Sequence, residues 1–136
     1  MQEMPEKTAV TIRAVYERWA QGDFTAGAEL YDPASVFILS PDFPDSGTYV
    51  GPEEMAKYMR GFLEPWESLT IECLDLFEAG DTVVAEVEQS GQGTRSGAAT
   101  AFTYFQVWTL RGGMLMRLQN FMTRDEALAA IGRKSD

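Results

Sequence analysis

The sequence predicts an α+β fold, with helices first and a run of antiparallel strands after them. Two helical apolar stripes occupy the first half, alternating strand patterns dominate from Leu69, and Gly112-Gly113 marks a hairpin between the last two strands. A length of 136 residues suits one domain over 1–136, with 1–7 expected as a flexible start and 133–136 as a flexible tail.

Each element has its own signal. From Thr8 to Ala20, Ile12, Val15, Tyr16 and Trp19 fall at i, i+3, i+4 and i+7, one helical face ended by Gly22-Asp23. Phe24, Ala28, Leu30 and Tyr31 suggest a short second helix stopped before Pro33. Val36–Leu39 is β-prone, Ser40–Gly47 reads as an irregular loop, and Tyr49-Val50 as a short strand. Pro52 with Glu53 and Glu54 opens the next helix, since proline fits the first turn and acids complement the dipole. Its stripe is Met55, Tyr58, Met59, Phe62, Leu63 and Trp66, with Pro65 bending or ending the last turn.

Leu69–Phe77 then forms a strand running to a turn at Ala79-Gly80-Asp81. Thr82–Gln89 alternates, with Val83, Ala85, Val87 and Gln89 on one face. A Gly-rich connection, Ser90–Gly97, leads into Ala101–Leu110, and the hairpin returns through Met114–Phe121. Thr123 and Glu126 have capping-box spacing before a short final helix, Ala127–Ile131, closed by Gly132.

The last two strands are largely apolar on both faces, and the helices can cover only one face of a curved sheet. The reading turns Thr103, Phe105, Arg117, Gln119 and Phe121 inward with Gln89. It leaves Tyr104, Gln106, Trp108, Met116 and Leu118 on an outer face that a second copy must cover, which makes a homodimer.

Composition excludes several functions. A net charge of −10 with no basic stripe disfavours nucleic acid and anionic membranes. The absence of histidine removes the commonest general base and most zinc sites, leaving carboxylates, tyrosines or Lys7, Lys57 and Lys134 for proton transfer. The lone Cys73 reads as a small core hydrophobe. The N-terminal residues lack the basic flank and apolar run of a signal peptide, and no stretch is long enough to span a bilayer, so a cytoplasmic protein is expected.

No motif carries a cofactor or metal. The glycines of Gly91–Gly97 lie between strands, whereas a phosphate loop needs a helix after it. Asp42 and Asp45 lack the ligand order of a calcium loop, and Glu86 and Glu88 read as a wet strand face rather than a catalytic dyad.

Four segments carry a family resemblance. Tyr16–Phe24 looks like an opening helix with its Gly-Asp break, and Ser46–Gly51 followed by Glu53 like a Gly-x-Tyr-x-Gly entry to the third helix. Val107–Gly113 and Arg124–Leu128 resemble the last hairpin and C-terminal helix. Their order resembles the SnoaL-like group of the nuclear-transport-factor-2-like superfamily, which includes polyketide cyclases and ketosteroid isomerases. The resemblance implies a cone of strongly curved, mostly antiparallel sheet wrapped on N-terminal helices, usually dimeric, around a deep pocket. Carried over by spacing, the isomerase base falls on Leu39, its oxyanion-hole tyrosine on Val15 (one position from Tyr16) and its oxyanion-hole acid on Phe105. The last-strand acid of the cyclases falls on Gln119. All four positions are non-ionisable here, so none of those mechanisms transfers intact.

The expectation is therefore a pocket for a small, mostly hydrophobic molecule, with isomerase, cyclase or lyase chemistry by positioning, or else a non-catalytic binding or dimerisation module. Its expected lining is Tyr16, Trp19, Phe37, Leu39, Tyr49, Met59, Trp66, Phe105 and Phe121. Gln89, Arg117 and Gln119 would orient the ligand, and Asp42, Tyr16 or Tyr49 would carry a proton.

Overall fold

The computed structural model describes residues 3–24, 26–41, 46–64, 66–93 and 99–132. Helix α1 runs Glu3–Ala20, so it begins well inside the expected flexible start. Pro5 is tolerated there because the N–H groups of a first helical turn have no intrahelical partner. Residues 1, 2 and 133–136, the remainder of the expected loose ends, lie outside the described residues.

The expected second helix is only a 3-10 turn, Ala28–Leu30, entered through Gly27 at φ 93°. Tyr31 is already extended, and strand β1 covers Tyr31–Leu39, longer than the β-prone run alone suggests. Its pairing is interrupted between Tyr31 and Val36, around Pro33, which has no N–H to donate. Strand β2 is Gly47–Val50 and α2 is Gly51–Leu63. Trp66 opens strand β3, Trp66–Ala79, instead of closing the helical stripe, since Pro65 supplies no N–H to continue the ladder. Strand β4 (Thr82–Gly93) extends into the Gly-rich connection and β5 (Ala99–Arg111) begins two residues before Ala101, while residues 94–98 between them lie outside the described residues. The hairpin to β6 (Met114–Phe121) and the capping box of α3 (Arg124–Ala130) match the sequence reading.

These six strands form one open sheet in the order β2-β1-β6-β5-β4-β3, antiparallel except where β1 runs parallel to β6. The inner face packs on α1 and α2 in an α+β cone. Register shifts in β3 and at the β5–β6 pair mark bulges, irregularities of the kind that bend and twist a strand. No described helix is long and apolar enough to cross a membrane.

The faces of β5 and β6 are the reverse of the sequence reading. Val83, Ala85, Val87 and Gln89 do face inward, and their antiparallel partners are Trp108, Gln106, Tyr104 and Phe102. Directly opposed residues share a face, so that choice for β4 forces Tyr104, Gln106 and Trp108 inward too. Trp108 is 0% exposed, and Tyr104, Gln106 and Leu118 are buried with it. Met116 is the unpaired residue of the bulge between the Thr109–Arg117 and Leu110–Leu115 pairs, and is half-buried. Four of the five residues of the expected homodimer face thus lie in the interior of one protomer.

The other face accounts for the second apolar pattern. Phe105, Val107 and Val84 form a separate cluster with Ala127 of α3, flanked by Phe77, Phe121 and Ile131. Arg124 lies over the Phe77 ring, 5.7 Å from its centroid. A seven-residue helix covers apolar surface that the sequence reading turned inward, toward the pocket.

Candidate functional site

Between α2 and the inner sheet face lies a cavity of about 550 Å³. Trp19 forms one wall from the end of α1. Its Nε1 donates to the Ala26 carbonyl at 3.1 Å, which pins the chain leaving the helix, and its ring packs on Tyr16 at 5.2 Å. On the opposite side β1 contributes Phe37 and Leu39, and α2 contributes Met55, Tyr58, Met59 and Phe62. Tyr58 packs against Phe37 (5.3 Å), Tyr49 (4.9 Å) and Phe62 (5.9 Å). Arg60 also lines the cavity and is exposed.

The inner strands bring polar groups into this apolar space. Gln89, Tyr104, Gln106 and Asn120 line it, each less than a tenth exposed. They belong to two hydrogen-bonded runs. In one, Trp108 Nε1 donates to Tyr16 Oη (2.7 Å), Tyr16 donates to Gln106 Oε1 (2.6 Å), and Gln106 Nε2 donates to Asn120 Oδ1 (3.0 Å). In the other, the Tyr104 hydroxyl donates to Gln89 Oε1 at 3.2 Å. Buried polar groups need such partners, and these satisfy every oxygen in the two runs.

Burial pushes the hydroxyls of Tyr16 and Tyr104 above the usual phenol range, and burial with the nearby Glu29 charge pushes Tyr31 up to about 12. At neutral pH these side chains are phenols that donate and accept hydrogen bonds but do not act as bases.

Of the residues expected to line the pocket, Trp19, Phe37, Leu39, Met59 and Gln89 do so. Tyr16 lies behind the wall, fully engaged by Trp108 and Gln106, and Tyr49 sits behind Tyr58. Phe105, Arg117, Gln119 and Phe121 belong to the outer face, where Gln119 opposes Val107 and the exposed Arg117 opposes Thr109. Thr103 shares that side, opposite Glu88. Asp42 and Asp45 lie outside the described residues, as does the side chain of Trp66.

Three carried-over positions are one residue out of step. Val15 is core, and Phe105 and Gln119 point away from the cavity, whereas the next residues, Tyr16, Gln106 and Asn120, are the three joined in one run. A single-residue offset exchanges the faces of a strand. Asn120 and Gln106 were legible in principle, because each alternates with, or pairs across from, a residue already turned inward.

A model of the SnoaL-like domain family matches residues 12–118. No curated protein matches the sequence. Among solved structures, a putative SnoaL-like polyketide cyclase from a Jannaschia species superposes with a TM-score of 0.75 at 18% identity, over 99% of this chain and 96% of that one. A nuclear-transport-factor-2-like protein from Burkholderia thailandensis is 26% identical, with a TM-score of 0.74 over 86% of this chain and 88% of that one. A hypothetical protein from Catenulispora acidiphila with a ketosteroid isomerase-like fold, solved in complex with trimethylamine, gives 0.70 at 16% identity over 93% of each chain.

Proposed function

The chain belongs to the SnoaL-like domain family, and from that premise we propose that it holds a small, mostly hydrophobic molecule in the cavity between α2 and the sheet. The observation that carries this reading is an apolar cavity of about 550 Å³ with buried amides in its wall. A module serving only for packing would close such a space, because an unfilled apolar void costs stability. Trp19, Phe37, Leu39 and Met59 are the apolar contacts, and Gln89 and Asn120 the polar ones.

Catalysis of the isomerase, cyclase or lyase type is the extension of this reading that the cyclase-like and isomerase-like neighbours support. It would rest on positioning and on stabilising an oxyanion, with the proton carried from outside the amide wall. Asp42→Asn tests the one loop acid assigned to that task. A single domain over 1–136, a cytoplasmic location and a homodimer through the outer sheet face complete the proposal. Half-buried Phe77 and Phe121 beside α3 support that face.

Equilibrium dialysis with fluorene, an apolar tricycle, is the direct test. Saturable binding of one molecule per chain is expected, and Ala56→Trp should abolish it by filling the cavity from α2. Absence of saturable binding would overturn the reading. Sedimentation equilibrium at micromolar concentration should give twice the 15.1 kDa of one chain, and a single-chain mass would remove the dimer.

A further inference from the structure

The hydrogen-bonded run behind the cavity has a direction, and the direction is fixed at its far end. An indole N–H can only donate, so Tyr16 must accept from Trp108 and send its own proton elsewhere. The neighbouring atom at 2.6 Å is therefore the Gln106 oxygen. That orients the Gln106 amide nitrogen toward Asn120, which must answer with its oxygen at 3.0 Å. Both oxygens accept within the run, and the Asn120 amide nitrogen has no acceptor among the described residues. Asn120 is 6% exposed and lines the cavity. Gln89 repeats the arrangement, with its oxygen taken by Tyr104 and its amide nitrogen without an acceptor among the described residues.

From this one-way run we infer that the cavity wall offers hydrogen-bond donors, and that the ligand's inner end carries a neutral carbonyl oxygen, as in an apolar ketone or quinone. The inference rests on the binding role proposed above and adds the chemistry of the ligand's head. A hydroxyl placed there could accept but would leave its own proton without a free acceptor in the run, and an aromatic N–H or an ammonium would set donor against donor, whereas a carbonyl satisfies the open N–H groups. A carboxylate would have to be desolvated without a buried cation beside it. Arg60, the one charged residue among the described lining, is exposed. Trp108 does not line the cavity. It acts as a positioning residue whose N–H sets which end of the Asn120 amide the ligand meets.

Three isosteric tricycles read this polarity: fluorenone with a carbonyl, fluorene with a methylene and carbazole with an N–H at the same position. Wild-type protein should bind fluorenone about fivefold more tightly than fluorene, the usual gain of one net hydrogen bond, and carbazole no more tightly than fluorene. Asn120→Leu should bring fluorenone to the fluorene level. Trp108→Phe should shrink the fluorenone-to-carbazole ratio while fluorene affinity holds, which a merely structural role would not do. If all three compounds bind wild-type protein equally, or carbazole binds best, the inference fails and the binding role stands. If none binds, the binding role fails and the inference with it. Retention of the ratio in Trp108→Phe would overturn the directing role of the indole. Should either variant fail to fold, a crystal structure of the wild-type fluorenone complex decides: the carbonyl oxygen is expected within hydrogen-bond distance of the Asn120 amide nitrogen, and a carbonyl turned away overturns the proposal.

Discussion

Tyr16 is the residue on which the interior network depends. It accepts from one buried group and donates to another, so Tyr16→Phe strands both the Trp108 N–H and the Gln106 oxygen. Unsatisfied buried groups cost about 1–3 kcal/mol each, and the variant should lose about 2–6 kcal/mol in chemical denaturation. A loss below about 1 kcal/mol would mean that water replaces the hydroxyl. At the outer face the expectation is the opposite. Arg117→Ala and Gln119→Leu remove side chains that do not line the cavity, so the dissociation constant for fluorene should be unchanged in both. A clear fall in affinity for either would place the site elsewhere.

At the scale of elements, the link between α1 and β1 is the most demanding. Gly27 has φ +93°, and a Cβ built there would lie 3.2 Å from both Val15 methyl groups. Gly22 has the same φ with nothing within 4 Å. Gly22→Ala should therefore cost about 1 kcal/mol, the left-handed backbone penalty alone. Gly27→Ala should cost about 1 kcal/mol more, because Val15 is buried in the core and has little room to yield. Equal thermal shifts for the two variants would show that the Val15 contact relaxes freely. At the other end of the chain, α3 is fixed by a reciprocal cap, Thr123 with Glu126, and that short helix was legible to within three residues. What it covers was not, because its apolar contacts, Val84, Phe105 and Val107, come from strands distant in sequence.

The whole molecule responds to alkaline pH through its buried phenols. Burial raises Tyr16, Tyr31 and Tyr104 above the ordinary value of 10. Above that pH unfolded tyrosines release protons that the native state retains, so the native state binds more protons and stability falls as pH rises. The contribution is fully present below pH 10 and, for Tyr31, is lost as pH climbs toward about 12. Denaturation midpoints should hold steady up to about pH 9 and then fall, and tyrosinate absorbance from these three residues should develop together with unfolding. Ionisation of these three tyrosines while the fold remains intact would contradict the burial that raises them.

By itself the sequence determined what short-range patterns encode. Its helical stripe fixed the Ile12–Trp19 face, Pro52 and the acids after it fixed the start of α2, and alternation fixed the two faces of each strand. It also determined that position 39, in the cavity wall, carries a leucine and no ionisable group. Which face of β5 and β6 turns inward was decided only by tertiary structure. Period-2 alternation divides a strand into two sets without saying which is inside, and here both sets are apolar because α3 covers the second. Cross-strand register breaks that symmetry, and a bulge at Met116 then lets Leu115 and Leu118, three residues apart, share the core. The donor polarity of the cavity is a tertiary property for the same reason. It depends on an indole and a phenol that stand 92 positions apart in the chain and meet only when α1 packs against the sheet.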